Sequence, residues 1–209
     1  MRGYAFRGKG TPPVRWTDAR DDLLKNSTPW FKRSSELAWA SNTGAGPFRR
    51  FFLNGHQKAQ AKWPGPLPAS VLFPDTTRHD QSVHVDFDRQ CHQKYQLHIH
   101  GHAAATSLKY RLACGSLVFL VENPYTEFWH ETIRDFENVV IVKYDGSDLL
   151  EKLQWAVDHD NEAQRIAANG AALVENVLSD SMISCYWALV LKRFAQLALK
   201  FKKSCLVSR

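Results

Sequence analysis

The densest pattern in the chain lies between Tyr95 and Glu131. Leu97 and Ile99 alternate with Gln96, His98 and His100, a period of two that predicts a half-buried strand, and Gly101 ends the run. Gly101, His102, Ala103, Ala104 and Ala105 carry little side-chain bulk where a helix must begin, and Thr106 and Ser107 fall in its expected first turn. Free backbone N–H groups at such a start suit a phosphate. Leu108, Arg111, Leu112 and Gly115 follow at helical spacing, and Ser116 to Val121 is a continuous apolar run of the kind a buried parallel strand requires. Strand, turn, short helix and strand form a small unit of nucleotide-binding type, without the glycine spacing of a dinucleotide site.

The flanking sequence extends the alternation of elements. Asp18 to Lys25 predicts a short helix, and Glu36 to Ser41 a strand running into the turn chemistry of Asn42 to Pro47. Phe48 to Trp63 has a helical pattern, Pro64 to Pro74 reads as an extended connector, and Asn138 to Val142 is a second buried-strand run. Ser147 and Asp160 are positioned to cap two further helices, the second with Gly170 as a point of kinking or breakage. In the last helix Ile183, Trp187, Val190, Leu191, Phe194, Leu197, Ala198 and Phe201 make one apolar stripe, with Lys192, Arg193, Lys200 and Lys202 largely off it. Packing against the core is its expected use, ahead of a membrane surface. Strands alternating with helices define an α/β chain: a Rossmann-like parallel sheet of roughly three to five strands flanked by helices.

Composition narrows the function classes. A chain of 209 residues, 44% hydrophobic, buries one good core. The net charge of +6 suits an anionic ligand, but the cations are spread along the chain and no nucleic-acid signature is present, so a nucleic-acid partner is not expected. Cys91, Cys114, Cys185 and Cys205 are too widely spaced for a zinc knuckle or a dense disulfide framework, which leaves the redox compartment open. Neither a signal peptide nor a membrane span is expected, since the first 16 residues lack an apolar segment and no run of 18 apolar residues occurs.

Two patterns resemble metal sites. Asp86-Phe87-Asp88 places two carboxylates on one side of an alternating segment, but so short a pattern is common by chance. His98, His100 and His102 put imidazoles two apart without a convincing carboxylate or cysteine partner, and read as a polar strand edge beside a cleft. No metal ligand is assigned.

Several separated segments then carry a resemblance: KYQLHIHGHAAATSLKYRLACGSLVF, YTEFW, VIVKYDGSDLLEKLQWA, DHDNEAQRIAANG and SCYW, in this order. From Trp30 to Trp187 the chain resembles glycosyltransferase family 90, the capsule-associated and KDEL-bearing, Rumi-like protein O-glucosyltransferases. Residues 1–28, rich in Gly, Pro, Arg and Lys at their start, read as a flexible arm, and over 29–203 the resemblance implies the C-terminal, donor-binding half of a GT-B glycosyltransferase, incomplete relative to the family. It implies a UDP-sugar donor used without a metal, and inverting transfer of glucose or xylose to a hydroxyl of an acceptor protein or glycan. Partners are then the nucleotide sugar and the acceptor, with no other cofactor.

The implied donor residues follow position by position. Trp39 keeps the Trp of the family's Trp-Arg-Gly motif, while Ala40 and Ser41 replace the Arg-Gly pair. Arg49 or Arg50 supplies the later phosphate-facing Arg, whose planar fork suits a pyrophosphate. Gly101, Ala103, Ala104, Ala105 and Ser107 line the helix start, with Ser107 where animal members carry an Arg and Lys109 nearby as a point charge. Glu127, just beyond a strand end, is the candidate for the ribose hydroxyls. The family's catalytic base belongs to the preceding half, so no catalytic residue is named, and a non-catalytic nucleotide-sugar binder is the second reading. The endoplasmic reticulum or Golgi lumen is the compartment implied, although the C-terminal SCLVSR is no retention signal.

Overall fold

The computed structural model describes residues 15–39, 46–72 and 90–207. Five parallel strands form its centre: β1 (Ser34–Ala38), β2 (Ser70–Leu72), β3 (Gln93–His98), β4 (Leu117–Val121) and β5 (Val140–Val142), in the spatial order β2-β1-β3-β4-β5. The helices are α1 (Trp16–Lys25), α2 (Pro47–Ala61), α3 (Leu108–Ala113), α4 (Leu149–Asp158), α5 (Asp160–Val177) and α6 (Asp180–Val207). This is the Rossmann-like parallel α/β sheet expected, and the strand order is that of the flavodoxin type.

Alternation along β4 explains how the sheet holds two cores. Leu117, Phe119 and Val121 join Leu37, Tyr95, Leu97, Val140 and Val142 on one face, beneath Phe52 of α2 and Leu149, Leu153 and Ala156 of α4. Val118 and Leu120 point the other way, into a cluster with Trp16 of α1 and Leu108, Tyr110 and Leu112 of α3. Helix α5 serves both faces: Ala163, Ile166 and Ala167 pack in the first cluster, Leu173 and Val174 in the second. Gly170 lies in the middle of that stripe and the helix runs through it unbroken, contrary to the expected kink. A Cβ there would stand 2.8 Å from the Asn138 carbonyl oxygen and 3.0 Å from Leu112 Cδ2, so the glycine serves close packing.

Strand β3 differs from the half-buried strand expected. Tyr95 to His100 are all buried, because a central parallel strand has helices over both faces. Gln96, at its centre, is satisfied within the protein. The Gln96 amide donates to the Gln90 carbonyl at 3.0 Å and to Ser116 Oγ at 3.1 Å, while Arg111 Nη1 donates to Gln90 Oε1 at 2.9 Å and Gln96 Oε1 at 3.0 Å. Arg33 adds bonds from Nη1 to Ser116 Oγ and from Nη2 to the Cys114 carbonyl. Burial pushes both guanidinium pKa values down to about 10, which leaves them charged at neutral pH.

A disulfide joins Cys91 to Cys114, across 23 residues, and ties the entrance of β3 to the end of α3. Sequence spacing did not reveal it, because the two cysteines approach only once β3 and α3 have packed. Within the segment expected as an arm, α1 is docked: Trp16 is buried edge-on against Tyr110, and its indole N–H donates to the Leu178 carbonyl at 3.0 Å.

Helix α6 departs from its expected role. Tyr186 stacks on Phe128 at 4.1 Å, but Trp187, Leu191 and Phe194 stand exposed, the last two at 62% and 69%. The start of the stripe does pack on the core, where Ile183 lies partly buried against the cluster of Trp16, Leu108 and Val174; the described sheet layers, covered by α1 to α5, leave the later positions exposed. By length and apolar composition alone, Asp180–Lys200 is long and apolar enough to cross a membrane.

Candidate functional site

In this strand order the chain leaves β1 toward β2 and leaves β3 toward β4. The carboxyl ends of β1 and β3 therefore open a crevice, the position where parallel α/β sheets place ligands. Trp39 follows β1, fully buried, and Ile99, His100 and Gly101 follow β3. Gly46, just before α2, reaches across to them. At φ +111 its missing Cβ would lie 3.2 Å from the Gly101 carbonyl carbon and 3.3 Å from His102 N, so only glycine lets α2 start this close.

Arg49, in the first turn of α2, joins the two strand ends. Its Nε donates to the His100 carbonyl at 3.1 Å and its Nη2 to the Ile99 carbonyl at 3.5 Å, with the guanidinium carbon 5.7 Å from the centre of the Trp39 ring. Burial lowers its pKa from the ordinary arginine value. Trp39, Arg49 and Gly101, chosen separately from sequence, thus meet at one place.

The remaining candidates spread along the same edge. Helix α3 begins only at Leu108, later than the small-residue run suggested, so Gly101 to Ser107 is a loop in which the Gly101 N–H donates to the Ala103 carbonyl at 3.2 Å. Ala103 is exposed, Ala104 and Ala105 are half-buried, and Ser107 Oγ lies 3.4 Å from His98 Nδ1. Burial first, then Arg111, His130, Arg49 and His100, drive the His98 pKa well below the ordinary histidine value. Neither His98 nor its neighbours form a strand edge, and among the described residues no three His, Cys, Asp or Glu side chains gather as a metal site.

Lys109 points away from the crevice, its Nζ 4.6 Å from the centre of the Trp16 ring and 5.4 Å from that of Tyr110. Burial lowers its pKa and Glu127 works against that shift. Glu127 accepts a hydrogen bond from the Trp129 indole at 3.2 Å. Ser41 and the Asp86-Phe87-Asp88 pattern lie outside the described residues.

Sequence reasoning passed over an aromatic cluster at this site. The His100 ring lies 4.7 Å from Phe48, 5.4 Å from Tyr125 and 6.1 Å from Tyr144, and Phe51 lies 5.5 Å from Tyr144. The available signal was positional, since Tyr125 and Tyr144 each follow closely on a strand's carboxyl end.

The model of Glycosyl transferase family 90 matches residues 3–205. The chain belongs to glycosyltransferase family 90. Among curated relatives, it is 35% identical to Protein O-glucosyltransferase 2 of Danio rerio over 126 residues, 57% of this chain and 25% of that protein. It is 27% identical to Protein O-glucosyltransferase 1 of Homo sapiens over 186 residues, 87% of this chain and 47% of that protein. Identity to Protein O-glucosyltransferase 3 of Rattus norvegicus is 37% over 103 residues, 49% of this chain and 20% of that protein. The family 90 chain described here thus spans at most about half the length of these relatives.

Proposed function

We propose that the chain is the donor-binding part of a glycosyltransferase, taking UDP-glucose or UDP-xylose at the crevice between β1 and β3 for inverting, metal-independent transfer to a hydroxyl of a protein serine or a glycan. The observation that carries the reading is the meeting of Trp39, Arg49 and Gly101 at the topological switch point of a family 90 chain. In such a reaction the acceptor oxygen attacks the anomeric carbon as the bond to the diphosphate breaks, and negative charge builds on the leaving phosphate. A cation already buried and oriented stabilises that charge without reorganising at the moment of reaction, the role assigned to Arg49. Backbone N–H groups of the loop between Gly101 and Ser107 are assigned as further donors, apart from the Gly101 N–H already given to the Ala103 carbonyl, and Glu127 is assigned to the ribose. The base that deprotonates the acceptor is not assigned to any residue of this chain. A lumenal compartment of the secretory pathway suits the Cys91–Cys114 disulfide.

A second reading, a nucleotide-sugar binder without transfer activity, is favoured by Lys109, which stacks on Trp16 instead of facing the crevice. Calorimetric titration with UDP-glucose, UDP-xylose and UDP, with and without Mn²⁺, tests the first reading. Metal-independent binding that weakens in Arg49→Ala supports it, and absence of binding by the folded chain refutes it. Transfer of sugar from the bound donor to an acceptor peptide separates the enzyme from the binder.

A further inference from the structure

His100 sits at the crevice with its polar atoms unused. It is 1% exposed, and among the described residues neither ring nitrogen has a hydrogen-bond partner. Burying an imidazole in this way is unfavourable, and an unpaired buried group in a native fold calls for a partner that the protein alone does not supply. The contrast with its strand neighbours is direct: Gln96 is fully bonded inside the protein, and His98 reaches Ser107 Oγ. His100 lies among the rings of Phe48, Tyr125 and Tyr144, and neither tyrosine hydroxyl bonds to it.

The surroundings select the chemistry of the missing partner. Arg49 approaches from α2, His98 lies on β3 itself, and the segments beyond β4 and β5 contribute Tyr125 and Tyr144. Among these groups there is no carboxylate, and the charged one is a cation. An anion is the complementary ligand. We propose that His100 is a ligand-contacting residue that donates a hydrogen bond to a phosphate oxygen of the nucleoside diphosphate at this crevice. The assignment rests on the donor reading above and adds a regulatory consequence to it.

Without ligand, burial and then Arg49 lower the imidazole's pKa and hold it neutral. A phosphate beside it reverses that balance, so donor binding takes up a proton and tightens as pH falls. Linkage sets the limit at about tenfold in affinity per pH unit for one proton taken up. Half-buried Tyr125 and Tyr144 are the side chains an entering ligand displaces to reach the ring.

The test is calorimetric titration of the 209-residue chain with UDP-glucose, whose diester phosphates keep their charge between pH 6 and pH 8 (roughly the range over which a histidine titrates). Measurement in two buffers of different ionisation heat counts the protons taken up. The wild-type chain should bind more tightly at the lower pH, with proton uptake. His100→Phe, which keeps a ring among the aromatics, should lose both the uptake and about tenfold in affinity at the lower pH. His100→Gln should retain part of the affinity without the pH dependence, and it carries the comparison if His100→Phe does not fold. Wild-type binding without proton uptake, or variants that bind with the same pH dependence, would overturn the role of His100 and leave the donor reading standing. No binding of UDP-glucose by the folded wild-type chain at either pH would overturn both.

Discussion

Gly46→Ala tests how closely α2 must approach β3 for the site to exist. Gly46 holds φ +111 and ψ 153, a region of backbone space essentially closed to other residues. The added Cβ would also meet the Gly101 carbonyl carbon at 3.2 Å and its oxygen at 3.3 Å, backbone atoms with no flexible end to swing aside. Strain of this kind costs about 1–3 kcal/mol, and the tight contacts bring the expected loss to about 2–3 kcal/mol. In a chain of this size that corresponds to a melting temperature lower by about 4–12 °C. The function should suffer beyond the stability, since relief of the clash moves the start of α2 and with it Arg49, whose bonds to the Ile99 and His100 carbonyls hold the crevice together. Thermal melting monitored by circular dichroism, paired with UDP-glucose titration, measures both effects. Gly65→Ala is the control: nothing lies within 4 Å of its missing Cβ, so its stability should stay within about 0.5 kcal/mol of wild type. A Gly46→Ala chain that melts with the wild type and binds donor equally well would refute the argument that this contact defines the site.

Other predictions follow from the same contacts. Replacing both Cys91 and Cys114 by Ala should cost about 3 kcal/mol, the loop-entropy value for a closed loop of 23 residues, and make urea unfolding insensitive to reductant. Gly170→Ala should destabilise by about 1–3 kcal/mol in urea titrations, although alanine is ordinarily the better helix former, because its Cβ would meet the Asn138 carbonyl oxygen at 2.8 Å. His98 is buried with its pKa lowered, so as pH falls below about 6.5 the unfolded chain takes up a proton that the folded chain refuses. Stability should therefore fall on acidification, by at most about 1.4 kcal/mol per pH unit for this group, and His98→Gln should flatten that slope in urea titrations at stepped pH. Arg49→Lys should weaken UDP-glucose binding in calorimetry despite keeping the charge, since an ammonium cannot hold two strand-end carbonyls with a planar fork.

Much of the fold was legible because local pattern and final environment agree. The apolar run at β4 announces a strand buried on both faces, and the alternation in β3 and the stripe of α5 predict element type correctly. The order of strands and helices sufficed for a parallel α/β sheet, and the separated motifs sufficed for the family. Trp39 and Arg49 rest on the resemblance to the family and Gly101 on the small-residue turn after a strand, so local pattern by itself marks the last of the three.

What remained hidden depends on how the elements meet. Gln96 and His98 look like solvent-facing positions until α3 covers them, and the start of α3 at Leu108 is set by its packing more than by the small residues before it. The Cys91–Cys114 bond, the contact of Gly170 with Asn138 and the approach of Gly46 to Gly101 join residues distant along the chain, and no local preference encodes such distances. Lys109 is a phosphate candidate by sequence position and a partner of Trp16 by direction, because α3 turns that face toward α1. The sequence by itself determined which residues form strands and helices, through hydrophobic period and turn chemistry, which act over a few residues. Only the tertiary structure decided which polar groups are paired and which, like the His100 nitrogens, find no partner among the described residues, because burial and hydrogen bonding are settled by neighbours that the chain brings together from afar.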